Sequence, residues 1–145
     1  MFFCQYQNSL DENNLLEVPE NFREALAGKV IVTQGFERNL LVLPLEYFQG
    51  LCRLISGLNI ADPLTRSLQK LLIGNASFCE IDSSGKIILT DYLKNFAGLK
   101  STVISVGIGK YYEVWSQEHW HEQENILQDA QTNSTRFASV DLSGL

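Results

Sequence analysis

Cysteine, proline and histidine are scarce in this chain of 145 residues, which has three, three and two of them. Cys4, Cys52 and Cys79 are odd in number and widely spaced. That spacing fits neither a disulfide framework nor a paired-cysteine zinc site, so the three are expected to be small buried hydrophobes in a reducing compartment. The histidines, His119 and His121, are two apart. On a helix they would point about 200° away from each other, which cannot serve one metal ion. No apolar run approaches the roughly 18 residues needed to cross a bilayer, and the N-terminal Met1-Phe2-Phe3-Cys4-Gln5-Tyr6 has no basic start, so a cytoplasmic protein without a membrane partner is expected. Phosphate-binding glycine loops, nucleophile elbows and convergent acid–base sets are missing too. The chain therefore reads as a binding protein rather than an enzyme, with no cofactor and no metal.

An excess of basic residues is also lacking: the formal net charge is −6. Five of the 17 acidic residues (Glu113, Glu118, Glu122, Glu124 and Asp129) fall in one C-terminal stretch that holds no Lys or Arg. Elsewhere twelve acids face 11 bases, so the remaining surface is near neutral and has room for a local basic patch.

What the chain does contain is an internal duplication. Ser9-Leu10-Asp11-Glu12-Asn13-Asn14-Leu15-Leu16-Glu17-Val18-Pro19 is answered by Glu80-Ile81-Asp82-Ser83-Ser84-Gly85-Lys86-Ile87-Ile88-Leu89-Thr90, with Asp11 and Asp82 separated by 71 positions. Val30 to Gly35 answers Thr102 to Gly107, and Leu43 to Phe48 answers Trp115 to Trp120, both 72 positions on. Each copy reads as a strand, a tight turn, a short strand, a short helix, two more strands and a longer helix. Asp11 and Asp82 can bond their own backbone two residues on, while Asn14 and Gly85 accept positive φ, so the strands flanking each turn are expected to form a hairpin.

Thr90 should cap a helix over Asp91 to Ala97 that Gly98 ends, and Pro19 suits the first turn of the equivalent helix. Leu45, Phe48, Cys52 and Ile55 give one apolar stripe. Asp62-Pro63 opens a helix expected to turn Leu64, Leu68, Leu71 and Leu72 inward before Gly74, with Arg66 and Lys70 outside. The organisation expected is α+β, one compact unit of two modules, 1–74 and 75–128. A polar, mobile tail is expected over 129–145, because Gln131-Thr132-Asn133-Ser134-Thr135 has no apolar period to bury. Phe2 to Tyr6 reads as an apolar edge strand that a monomer would leave exposed.

These segments resemble the MraZ family of bacterial transcription regulators over about residues 1 to 128. The resemblance is carried by Gln5-Tyr6-Gln7-Asn8-Ser9-Leu10-Asp11, Pro19-Glu20-Asn21-Phe22-Arg23, Leu43-Pro44-Leu45-Glu46, Leu71-Leu72-Ile73-Gly74-Asn75-Ala76, and Val106-Gly107-Ile108-Gly109 to Glu113-Val114-Trp115. It implies two tandem pseudo-symmetric AbrB-like swapped-hairpin modules. It also implies a ring-shaped homo-oligomer that binds double-stranded DNA at promoter repeats, associates with the nucleoid, and usually represses the division and cell-wall gene cluster. Its DNA contacts would fall at the two turn tips: Asn13, Asn14 and Leu15 in the first, and Ser83, Ser84, Gly85 and Lys86 in the second. Asp11 and Asp82 would structure the turns.

The family carries an Asp-x-x-x-Arg pattern in each half. Here Leu15 and Lys86 stand in place of the two arginines. The Leu15 side chain has no hydrogen-bonding group, and Lys86 keeps the charge without the planar fork that grips guanine. A regulator with weakened tips is one expectation. The other is an oligomeric protein-interaction module that kept the fold and lost specific DNA binding, its working surface being the acidic C-terminal helix or the tail.

Overall fold

A computed structural model describes residues 1–144; Leu145, the last residue of the expected tail, lies outside the described residues. The strands are β1 (Gln5–Ser9), β2 (Leu15–Glu17), β3 (Lys29–Gln34), β4 (Leu40–Pro44), β5 (Ser77–Glu80), β6 (Lys86–Ile88), β7 (Thr102–Gly107) and β8 (Tyr112–Ser116). The helices are α1 (Glu20–Leu26), α2 (Leu45–Ser56), α3 (Pro63–Leu72), α4 (Asp91–Ala97), α5 (Gln117–Leu127) and α6 (Ala130–Arg136). None of the helices among the described residues is long and apolar enough to cross a membrane.

Strand pairing differs from the expected pair of hairpins. The turns close as predicted, but the strands on either side of each turn diverge and pair elsewhere. β1 joins β7, β5 joins β3, and the two short strands β2 and β6 pair antiparallel with each other. A six-stranded antiparallel sheet results, ordered β1-β7-β8-β4-β3-β5, with the β2–β6 ribbon as a second sheet. In the ribbon Leu16 faces Ile87, its own counterpart 71 positions on; in the large sheet Leu41 of β4 faces Glu113 of β8, 72 positions on. A pseudo-twofold axis thus passes through both sheets.

The pairing also corrects one alignment. Val30 pairs with Pro44 and Val103 with Ser116, so Val103, not Thr102, is the counterpart of Val30. The α4–β7 link, residues 98–101, is two residues longer than 27–28, and the β7–β8 link, residues 108–111, is one shorter than 35–39. The spacing therefore runs from 71 to 73 and back to 72.

Period-two alternation divides the large sheet between one core on the ribbon face and two smaller clusters on the other. Val30, Val32, Leu40, Val42, Val103, Tyr112 and Val114 face the ribbon residues Leu16 and Ile87 and the helix residues Phe22 and Leu93. On the opposite face Ile31, Leu41 and Leu43 pack on Ile55 of α2 and Leu72 of α3, and Trp115 meets Trp120 of α5 edge-to-face at 5.5 Å. The Thr33 hydroxyl donates to the Leu72 carbonyl at 2.7 Å and fixes the end of α3 against β3.

Helix α4 has the expected ends: Thr90 Oγ1 accepts from the Leu93 N–H at 3.2 Å, and Gly98 adopts φ 64°. Pro19 is the N-cap of α1 rather than a residue of its first turn. In α3 the inward stripe runs through buried Thr65 and Leu72 and half-buried Leu68, which turns Leu64 outward, 77% exposed, against expectation. Phe2 is not an exposed edge residue. It bridges Gly109 and inserts its ring between Phe22 and Tyr112, whereas Phe3 is exposed. Among the cysteines only Cys79 is buried; Cys52 is half-buried, and Cys4 is exposed at φ 72°, where the chain passes from the Phe2 bridge into β1. The stretch from Ala130 forms helix α6 without burying a residue. Asp129 caps it by accepting from the Thr132 N–H and hydroxyl, so local hydrogen bonds organise a segment that has no core to join.

Candidate nucleic-acid interface

The two tips are built alike, atom for atom. At the first, Asp11 Oδ1 accepts from the N–H groups of Asn13 (2.8 Å) and Leu15 (3.0 Å), and Asn14 N–H donates to the Asp11 carbonyl at 3.1 Å. At the second, Asp82 Oδ1 accepts from Ser84 (2.8 Å) and Lys86 (2.9 Å), and Gly85 N–H donates to the Asp82 carbonyl at 3.0 Å. Asn14 and Gly85 both take positive φ, 62° and 77°. Each then offers its carbonyl to the opposite repeat: the Val18 N–H donates to Gly85 at 3.0 Å and the Leu89 N–H to Asn14 at 2.9 Å. The tips are therefore locked to one another through the ribbon.

Alternation along the ribbon buries Leu16 and Ile87 and leaves Leu15, Glu17, Lys86 and Ile88 on the outer face. Leu15 pairs with Ile88 and Glu17 with Lys86, so half of this face is apolar. Lys86 Nζ lies 4.0 Å from Asp11 Oδ2, with both side chains about a third exposed. Solvent screens such a pair, and it leaves the ammonium available to another anion. Asn13, Ser83 and Ser84 are exposed at the tips. The Asn14 side chain instead turns inward: its amide donates to Asp91 Oδ1 at 2.6 Å and its Oδ1 accepts from Lys94 Nζ at 3.2 Å.

Two basic residues that the sequence reading passed over stand at these tips. Lys94 of α4 reaches the first through Asn14. Arg23 of α1 lies over the second, where a Cβ on Gly85 would fall 2.2 Å from the guanidinium carbon, and its Nε donates to the Val18 carbonyl at 3.0 Å. Arg23 and Lys94 are themselves 71 positions apart, so the repeat carried a signal for them. The histidines do not converge: His119 Nδ1 lies 3.3 Å from the Ala97 carbonyl, and His121 is exposed.

On the other face of the large sheet, α2, α3 and β4 enclose an apolar groove of about 310 Å³ lined by Phe36, Leu43, Tyr47, Leu54, Leu58 and Tyr111 among others. Phe36 and Leu54 are 68% and 70% exposed, and Tyr47 stacks on Tyr111 with centroids 5.9 Å apart. Close by on β8, burial pushes the Glu113 carboxyl above the usual carboxylate range, and Glu37 adds repulsion.

A family model described as "MraZ protein, putative antitoxin-like" matches residues 72–140. The chain is 35% identical over 127 residues to a protein of Thermomicrobium roseum named transcriptional regulator MraZ, covering 88% of this chain and 89% of that one. A protein of the same name from Roseiflexus castenholzii is 33% identical over 138 residues, with 95% and 94% covered. Another, from Nitrosospira multiformis, is 40% identical over 119 residues, with 79% and 81% covered.

Proposed function

Since the chain belongs to the MraZ family, we propose that it is a non-enzymatic transcription regulator that binds promoter DNA through the outer face and tips of the β2–β6 ribbon. In this reading it works as a homo-oligomer in the cytoplasm, associated with the nucleoid, and represses the division and cell-wall gene cluster. The observation that carries the reading is the pair of identically hydrogen-bonded Asp-anchored turns held on one two-stranded ribbon, with Lys86 on its outer face. A ribbon of this width fits the major groove of B-form DNA. Leu15 and Ile88 weaken one half of the face, and an oligomer engaging repeated sites offsets that loss through high effective concentration.

Fluorescence anisotropy on the chain's own upstream promoter, with scrambled DNA as control, tests the reading over a salt series. Lys86→Ala should weaken binding and lower the log-affinity against log-salt slope by about one per phosphate contact engaged. Leu15→Arg should tighten binding, because the turn backbone that would present the new guanidinium is already in place. Parent protein that binds neither duplex would sink the DNA reading and favour the protein-interaction module.

The groove between α2 and α3 supports self-association, since Phe36, Leu54, Leu58 and Tyr47 stand exposed side by side around an apolar cleft. Light scattering at micromolar concentration should find several subunits per particle. Leu54→Glu should reduce that mass while leaving circular dichroism unchanged, because Leu54 is 70% exposed and contributes little to its own subunit's core. A particle mass unaltered by Leu54→Glu would remove the groove from the assembly.

A further inference from the structure

We infer that the cation facing DNA at each tip is delivered by the helix of the opposite repeat, Lys94 at the 11–15 tip and Arg23 at the 82–86 tip. The first tip then keeps a phosphate contact despite Leu15. The inference rests on the DNA-binding reading above.

Three observations carry it. First, the two cations occupy equivalent positions, yet each reaches the other repeat's turn, because the ribbon crosses the chain over between α1 and α4. Lys94 Nζ bonds Asn14, the positive-φ residue of the first turn, and Arg23 lies over Gly85, the positive-φ residue of the second.

Second, neither cation is neutralised. The ion pairs within 4.0 Å among the described residues are Lys86–Asp11 and Lys100–Glu118. Lys94 is bound by a neutral amide oxygen and Arg23 by a backbone carbonyl, which orient a charged head without cancelling it. An ammonium has three donors and a guanidinium five, so each group retains donors for an anion. Both residues are half-buried. Less side-chain entropy is then lost on meeting a phosphate than for a free surface lysine.

Third, the turn residues make room for these groups. Gly85 has no side chain where the Arg23 guanidinium lies, and the Asn14 amide bridges Lys94 Nζ and Asp91 Oδ1. Acidic neighbours are present. Asp11 and Glu12 share a cleft with Lys94 and Lys100, and Glu17 and Glu20 share one with Arg23. They would oppose a diffuse anion cloud more than a phosphate seated directly on the cation.

The experiment uses the full-length oligomer, the promoter duplex and a salt series. Lys94→Gln and Arg23→Gln should each weaken binding roughly fivefold per subunit engaged at 0.15 M salt, the factor given by one lost contact with a slope of about 0.9, and each should flatten the salt dependence by that slope per subunit engaged. Lys94→Arg and Arg23→Lys, which keep the charge, should retain the parental slope. Asn14→Gly keeps the left-handed backbone and removes the tether, so it should lower affinity with the slope unchanged. A residue that merely held its turn in shape would not move the slope, and thermal melts with light scattering identify any variant that has lost its fold. For such a variant, a methionine substitution, which removes the charge and keeps an unbranched apolar stem, carries the test: a flattened slope supports the contact and a parental slope overturns it. Parent protein that binds DNA while both Gln variants keep its affinity and slope overturns this inference alone. Parent protein that does not bind overturns the DNA reading and the inference together.

Discussion

A fragment ending at residue 74 should give a collapsed amide spectrum and no cooperative thermal transition. Of the four strands in that fragment, β1 loses β7, β2 loses β6, β3 loses β5 and β4 loses β8; only the β3–β4 pairing stays within it. The main core goes as well, because Leu16, Phe22 and Leu26 pack against Ile87, Leu93, Tyr112 and Val114. Two copies of the fragment are poor substitutes for the missing half. A second copy would present Asn14 in place of Gly85, so the Arg23 guanidinium would have to leave the space it occupies. A sharp, dispersed spectrum from the fragment, whether monomeric or self-paired, would contradict this account of the fold.

Gly107→Ala should be among the most destabilising single substitutions outside the core. A Cβ there would lie 2.3 Å from the Phe3 backbone nitrogen and 2.5 Å from the Phe2 carbonyl carbon, and backbone cannot swing aside as a side chain would. The N-terminal bridge from Phe2 to Gly109 would have to lift, withdrawing a ring that is 3% exposed and sits 5.1 Å from Phe22. Expelling a buried aromatic side chain costs about 3–5 kcal/mol, which for a chain of this length lowers Tm by on the order of 10 °C. The two sites are coupled, so the same substitution in a Phe2→Ala background should cost far less than in the parent. A Tm within a degree or two of the parent's would mean that the N-terminal segment is not held by this contact.

What the sequence disclosed was local. The Asp-x-x-Asn and Asp-x-x-Gly turns, the Thr90 cap and the Gly98 terminus depend on residues within four positions of one another, and each has the predicted geometry. What stayed hidden was the choice of partner. Nothing in Leu15-Leu16-Glu17 distinguishes pairing with Gln5 to Ser9 from pairing with Lys86 to Ile88, because the alternation suits both and the decision lies in the whole core. The same non-locality hid the two basic residues that stand at the tips. Arg23 and Lys94 sit 62 and 80 residues from the Gly85 and Asn14 they meet, so nothing in their own helices points to those turns. Helix α6 was missed for the opposite reason, since it forms on its Asp129 cap with no apolar stripe to betray it.

Two subunits encoded by one gene must change together: a codon altered for one is altered for its twin. Here the symmetric pair is a single polypeptide, in which Leu15 and Lys86 occupy the same place on the ribbon under separate codons. One tip can lose its own cation while the other keeps a lysine, a divergence that a symmetric dimer of the same architecture has no means to make. Covalent joining of the halves thus supplies the freedom to give the ribbon a direction, with a polar end at Glu17 and Lys86 and an apolar end at Leu15 and Ile88 on an otherwise symmetric frame.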